Sequence, residues 1–170
     1  MSAVKNIRAI NFRYVPREDR ILVTINPGHE EAWSCWLTRR IVRALLHSST
    51  EFLNRTSDLL HRAPKEAKGE IIAFEREAAL VATSKAITQT PENVLQQSAR
   101  AARLLEKITI SRQSSRLRLE LKGEAETAMG MIDRPMLQRI LQMLELETAR
   151  AGWFTGASLP NSAPTKPRQH

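Results

Sequence analysis

The chain has 170 residues, of which 42% are hydrophobic, and it carries a formal net charge of +8 at neutral pH. That apolar content supports the core of one domain of ordinary size, while no uninterrupted apolar run approaches the ~20 residues that span a bilayer. The opening stretch MSAVKNIRAINFRY lacks the apolar segment of a signal peptide, and a single cysteine excludes an internal disulfide framework, so we expect a cytoplasmic protein with no membrane partner, no cofactor and no metal.

Three strands and a helix are predicted for the first third of the chain. Apolar and polar residues alternate in IRAINFRYV (7–15), and the apolar segments ILVTIN (21–26) and AWSCWL (32–37) follow, separated by the turn-forming clusters PRED and PGHEE. From Thr38 the spacing of apolar residues changes to the helical period. We therefore predict a helix that begins with Thr38 as its N-cap and ends near His61.

The middle of the chain is predicted to be largely helical. Residues 65–83 form an amphipathic pattern, whereas residues 84–103 are ambiguous. TPEN (90–93) is typical of a helix start with Thr90 as N-cap, yet few large apolar residues follow, so a short helix and a surface loop both fit. The residues expected to face inward from the 65–83 helix are Ile71, Phe74, Ala78, Val81 and Ala82.

The last third repeats the plan of the first. KITISR (107–112), LRLELK (117–122) and ETAMGMI (126–132) are predicted strands. A helix follows, with Asp133 as N-cap and Pro135 in its first turn, both of which are favoured there.

Together these patterns predict an α+β fold of two antiparallel three-stranded βββα units, related by an approximate pseudo-twofold and joined by a helical connector. We expect a single domain over residues 1–154. Because the last segment is rich in proline and lacks periodicity, a disordered tail is predicted for residues 155–170. The first unit, the connector and the second unit would cover 7–62, 63–103 and 104–154.

The register of each hairpin can be predicted because a slip of one residue moves every side chain to the other face of the sheet. In each unit one register places apolar residues opposite apolar residues. The predicted pairs are Ile21–Leu37, Val23–Cys35 and Ile25–Trp33 in the first unit, and Leu117–Met131, Leu119–Met129 and Leu121–Thr127 in the second.

The start of the first predicted helix concentrates positive charge where the helix dipole is already positive. Arg39 and Arg40 there cost about 0.3–1 kcal/mol each unless they are compensated. Extending the predicted register by two positions puts Asp19 opposite Arg39, so the acidic turn can supply that compensation through charge-assisted contacts. This structural clasp would consist of Glu18, Asp19 and Thr38 together with the arginines.

An anion site is the alternative interpretation of the same helix start. A helix N-terminus with several arginines can bind phosphate or a nucleic-acid backbone. The glycine-rich loop that usually precedes such a helix is missing, since Trp36 and Leu37 stand before the cap. The residues that would contact an anion or a partner are Arg39, Arg40 and Arg43.

The two residues Cys35 and Trp36 are predicted to face opposite sides of their strand. Cys35 falls on the apolar face, which indicates a buried and inert thiol. Trp36 falls on the other face beside Leu22, so either the 65–83 helix covers it or it contacts a partner chain.

Several segments resemble a family of small, uncharacterised bacterial proteins. They are YVPREDRILVTIN, WLTRR, LLEKITI, RLRLEL and ARAGW, and the resemblance spans about residues 12–153. It supports the predicted fold and implies no assigned activity. From the residues themselves we expect a non-enzymatic cytosolic binding or adaptor protein, whose partner is another protein or a second copy. The net charge of +8 leaves nucleic acid as the alternative partner, bound by the basic helix face.

Overall fold

The computed structural model describes residues 3–86 and 89–154, and within them the chain is α+β, with one seven-stranded mixed sheet and five α-helices. The predicted disordered tail lies outside the described residues. In chain order the elements are β1 (Val4–Asn6), β2 (Ile10–Val15), β3 (Arg20–Ile25), β4 (Trp33–Leu37), α1 (Arg39–Arg55), α2 (Asp58–Arg62), α3 (Lys68–Ala82), α4 (Glu92–Ala101), β5 (Arg103–Gln113), β6 (Arg116–Gly123), β7 (Thr127–Ile132) and α5 (Arg134–Ala151), with 3₁₀ turns at Lys65–Ala67 and Ser84–Ala86.

The strands follow the order β1-β7-β6-β5-β4-β3-β2 across a single sheet. The β1–β7 and β4–β5 pairings are parallel and the others are antiparallel. The two predicted three-stranded units are thus continuous through a short parallel junction, where Cys35 pairs with Arg103 and Trp36 with Leu104. Two separate antiparallel units were expected, and the predicted pseudo-twofold is not confirmed by this strand order. Neither β1 nor the first residues of β5 were predicted, because both segments are too short or too mixed to show a period.

The sheet must curl strongly, because its two outermost strands are nearly adjacent in sequence. Residues 7–9 alone join β1 to β2, and the four peptide steps from Asn6 to Ile10 span at most about 14 Å. In a flat sheet, six strand spacings would separate these strands by roughly 29 Å. Twist and curl therefore bring the two edges together at one corner, and the helices α1 and α5 pack on the inner face.

The buried side chain of Asn26 holds the segment that joins the two edges. Its Oδ1 accepts hydrogen bonds from the backbone N–H groups of Arg8 (2.8 Å) and Ala9 (3.0 Å), and its Nδ2 donates to the carbonyl of Asn6 (2.7 Å). The residue is 1% exposed and adopts a φ of +47°, a left-handed conformation that asparagine tolerates better than most residues. One side chain therefore fixes the β1–β2 connection to the end of β3.

The register of β3 and β4 is confirmed pair by pair, with Ile21 opposite Leu37 and Val23 opposite Cys35. The register predicted for β6 and β7 is wrong by one residue. Gly130 pairs with Leu119, where a methionine was expected, so small residues of β7 face the core. The physical reason is space: a Cβ at position 130 would lie 2.9 Å from the Cβ of Ile7 in the β1–β2 connector, and no methionine side chain fits there.

The first predicted helix is divided in two. Thr38 caps α1, as expected, by accepting a hydrogen bond from the backbone N–H of Ile41 (3.4 Å), but α1 ends at Arg55. Ser57 then caps α2 by accepting from the N–H of Leu60 (3.1 Å). In the second unit Asp133 caps α5 as predicted, accepting from the N–H of Met136 (2.9 Å).

Candidate functional site

Asp19, in the turn between β2 and β3, binds the side chains of Tyr14 on the adjacent strand, Arg39 at the start of α1 and Trp153 after α5. Arg39 Nη2 donates to its carboxylate at 2.5 Å, Tyr14 Oη at 2.9 Å and Trp153 Nε1 at 3.0 Å. The Arg39 guanidinium also lies 5.2 Å from the centre of the Trp153 ring. This corner therefore ties the start of α1 and the turn after α5 to the β2–β3 hairpin.

The corner perturbs the acid–base behaviour of its own groups. The hydrogen bond from Trp153, followed by those from Arg39 and Tyr14, lowers the pKa of Asp19 below its usual value. The same carboxylate raises the pKa of the Tyr14 hydroxyl, chiefly because that hydroxyl donates a hydrogen bond to it. Asp19 thus favours its charged form, as a carboxylate that accepts several hydrogen bonds should.

The other predicted residues at this corner behave differently from Arg39. Arg43 stacks over the Phe154 ring at 4.8 Å from its centre. Arg40 and Glu18 are exposed, and neither side chain makes a hydrogen bond or ion pair with a residue in the described ranges. The corner therefore brings Arg39 and Arg43 against aromatic rings and leaves Arg40 free in solvent.

Trp36 is covered within the chain, but by α4 and not by the 65–83 helix that was expected to cover it. It is 7% exposed and packs with Leu22 and Leu95 in a small cluster on the outer face of the sheet. Ser34 fixes the same helix by donating a hydrogen bond from its hydroxyl to the carbonyl of Ser98 (2.7 Å). Of the two interpretations for residues 84–103, the short helix is the one observed. Thr90 is not its N-cap, however, since its hydroxyl accepts a hydrogen bond from Asn11 Nδ2 (2.9 Å) instead.

Cys35 borders a cavity of about 710 Å³ between β4 and the end of β6. Burial, with a smaller contribution from the charge of Glu126, raises the pKa of its thiol to about 12. The thiolate, which is the nucleophilic form, is therefore negligible near neutral pH. Across residues 3–86 and 89–154 no three histidine, cysteine or acidic side chains are grouped as metal ligands would be, and no helix is long and apolar enough to cross a membrane.

Most of the α3 residues that were predicted to face inward are exposed instead, and only Ile71 among them is half-buried. Phe74 is 63% exposed and Val81 is 71% exposed. The predicted apolar stripe therefore exists, but from Phe74 to Val81 it faces solvent, while Ile71 at its start is half-buried. We call Ile71, Phe74, Ala78 and Val81 the α3 apolar face.

The inner side of α3 is held largely by polar contacts, which explains its orientation. Arg76 binds the carboxylate of Glu145 on α5 through both terminal nitrogens. Glu75 accepts a hydrogen bond from the hydroxyl of Ser57 (2.6 Å) and lies 3.9 Å from the guanidinium of Arg134. Arg76 lies on the side of α3 opposite Phe74 and Val81, and Glu75 lies on the inward flank, one turn after Ile71, so the contacts that dock α3 turn Phe74 into solvent.

Charge around the α3 apolar face differs from that of the chain as a whole. Glu70 and Glu77 lie seven residues apart along one border of the face, about 10 Å along the helix axis. Both are exposed, and neither makes a hydrogen bond or ion pair with any other described residue. Lys68 lies toward the opposite border. A chain with a net charge of +8 thus carries an acidic edge beside its exposed apolar helix face.

Sequence reasoning missed the direction of α3, the cover over Trp36 and the role of Asn26. The first two depend on partners far away in sequence, namely Glu145 for Arg76 and Leu95 for Trp36. Only the spacing of Glu75, on the flank of the stripe, and Arg76, opposite it, hinted that polar residues would face inward.

Comparisons with known proteins add no family or fold relative. No protein-family model matches the chain, and no curated protein or solved structure matches it either. The resemblance to a family of small bacterial proteins therefore stays a prediction. The exposed surfaces of the chain, the α3 apolar face among them, are what bears on its function.

Proposed function

We propose that this chain is a non-enzymatic protein-binding module of the cytosol and that the α3 apolar face is its contact surface. The observation that supports the proposal is the inverted orientation of α3, whose charged residues Glu75 and Arg76 bind inward while Phe74 and Val81 face solvent. Contiguous exposed apolar residues on a folded domain commonly mark interaction sites.

The energy available at this face is sufficient for a specific contact. Burying the exposed part of the Phe74 ring, on the order of 100 Å², contributes roughly 2–3 kcal/mol. Val81 offers a similar fraction of its side chain about two turns further along the helix. A partner that covers both residues would therefore meet two anchors of the kind that dominate protein interfaces.

Co-purification of the tagged protein from its native cells tests the proposal. The variant Phe74→Ser/Val81→Ser should fold normally, because exposed substitutions usually change stability by less than about 0.5 kcal/mol each. We expect it to lose a partner that the wild type retains. The matched control Leu104→Ser, which alters an exposed leucine on β5, should keep that partner. Identical partners on the wild type and the double variant would overturn the proposal.

Nucleic-acid binding is the second candidate, and the outer face of β5 and β6 favours it. Lys107 pairs with Lys122 across the two strands, both side chains are exposed, and Arg118 follows on β6. No aromatic side chain lies on this part of the sheet face among the described residues, so bases would find no stacking platform. Binding would therefore depend on phosphate contacts and weaken steeply with salt.

A fluorescence-anisotropy titration with single-stranded DNA over a salt series separates the two basic surfaces. If the sheet face binds, Lys107→Glu/Lys122→Glu should weaken binding about tenfold and flatten the salt dependence. If the basic face of α1 binds instead, Arg40→Glu/Arg43→Glu should weaken binding and flatten the salt dependence. Binding that neither variant changes would exclude both surfaces.

A further inference from the structure

We infer that the partner of the α3 apolar face is an amphipathic helix whose apolar stripe is bordered by lysine or arginine residues. The inference rests on the proposed function and names the chemistry of the partner. It follows from the charge that borders the face.

The shape of the surface favours a helix as the occupant. The α3 apolar face is a single stripe on a helix of 15 residues, with Phe74 and Val81 standing out beside the small side chain of Ala78. Ridges of this kind pack against the groove of a second helix, with large side chains entering the space above small ones. A partner in extended conformation would need free backbone N–H and C=O groups on α3 to hydrogen-bond with, and the backbone groups along a helix are already paired with each other.

The acidic border favours a basic occupant. Glu70 and Glu77 repeat at the heptad spacing, as do the charged positions that flank the seam of a helix pair. Both carboxylates are exposed and unpaired within the described residues, whereas the acid Glu75 on the inner side already has partners. Basic residues on the partner would supply the missing counter-charges.

A second copy of this chain fits the border less well. When two identical helices pair antiparallel, each flank of one helix meets the same flank of the other. Glu70 and Glu77 would then face their own counterparts, and like charges at that spacing repel. A basic helix of a different protein avoids this repulsion.

Two synthetic helical peptides test the inference by fluorescence anisotropy with the full chain. Both carry one leucine stripe; one has lysine along its borders and the other has glutamate at the same positions. We expect the lysine peptide to bind about tenfold more tightly than the glutamate peptide. The variant Glu70→Lys/Glu77→Lys should reverse that preference. The control Glu106→Lys/Glu124→Lys changes the net charge equally, at exposed sites far from α3, and should keep the wild-type preference.

Each contrary result has a distinct meaning. Equal binding of the two peptides, or the same effect from the border and control variants, would overturn the inference and leave the proposed function standing. Sedimentation showing a dimer that depends on Phe74 and excludes the peptide would also overturn it, in favour of a second copy. If Phe74→Ser/Val81→Ser binds the lysine peptide as well as the wild type does, the proposed function itself fails.

Discussion

Replacing Asn26 should destabilise the fold more than any other single polar substitution at the joined edges of the sheet. Its side chain makes four hydrogen bonds: three of 3.0 Å or less, with the N–H groups of Arg8 and Ala9 and the carbonyl of Asn6, and a longer one of 3.4 Å to the carbonyl of Glu31. Each of the three shorter bonds contributes about 1 kcal/mol when the group left behind can be hydrated, so Asn26→Gly should cost about 3 kcal/mol. Alanine at a φ of +47° adds about 1–2 kcal/mol of backbone strain, which makes Asn26→Ala the more severe change.

Urea unfolding followed by circular dichroism and tryptophan fluorescence measures these differences. For a chain of this length, 3 kcal/mol corresponds to a melting temperature roughly 6–12 °C lower. The control is Ser114→Gly, at an exposed turn residue that also has a positive φ, and it should be neutral or slightly stabilising. If Asn26→Gly unfolds within about 1 kcal/mol of the wild type, the β1–β2 connection is not held by this side chain and the account is wrong.

Three further predictions test the corner, the buried thiol and the cover over the sheet. Because the pKa of Asp19 is lowered from 3.8, its contribution to stability is present above that unfolded-state value and is lost as the pH falls through the folded-state pKa. The melting temperatures of the wild type and Asp19→Asn should therefore differ at neutral pH and converge in acid. A difference that does not change with pH would contradict this. The thiol of Cys35, whose pKa is about 12, should react with iodoacetamide at least about tenfold more slowly in the folded chain than in urea. Mass spectrometry of the labelled protein measures the two rates. Fast labelling of the folded protein would show that the thiol is not buried. Leu95→Ala should lower the free energy of local opening of α4 by about 2 kcal/mol. In hydrogen exchange, the amides of that helix should then exchange more than about tenfold faster while those of β6 stay protected. Equal acceleration in both elements would mean that α4 does not open on its own.

Local pattern was enough to predict most strands and both long helices that follow them. The β3–β4 register was predictable because both faces of that hairpin are consistent, with Ile21 and Val23 meeting Leu37 and Cys35. The β6–β7 register was not, because Met129 and Met131 look like better core residues than Ala128 and Gly130. What decides between them is the space taken by Ile7, which follows β1, the sheet neighbour of β7, and is far from Gly130 in sequence, so the local pattern does not show it.

The orientation of the α3 apolar face was likewise not predictable from local sequence. Periodicity placed Phe74 and Val81 on one stripe of α3 but could not say which way the stripe faces. Hydrophobic pattern alone favours the core, yet α3 is oriented by several inward polar contacts, among them the ion pair between Arg76 and Glu145, whose residues are far apart in sequence. The contact between Asp19 and Arg39 could be anticipated because a hairpin register relates the two positions, whereas the arrival of Trp153 at the same carboxylate could not.

The edges of the sheet explain why a helix face is the better candidate for recognition than strand addition. The edge strand β2 packs against α5, and the carboxylate of Glu147 accepts a hydrogen bond from the N–H of Tyr14 at 2.8 Å, which occupies a donor that an added strand would need. At the opposite edge β1 is three residues long and offers little backbone for an added strand. These are the devices by which sheets avoid pairing with other chains. Because one edge is covered by α5 and the other is short, α3, which exposes Phe74 and Val81, offers a partner the apolar surface that the edges do not.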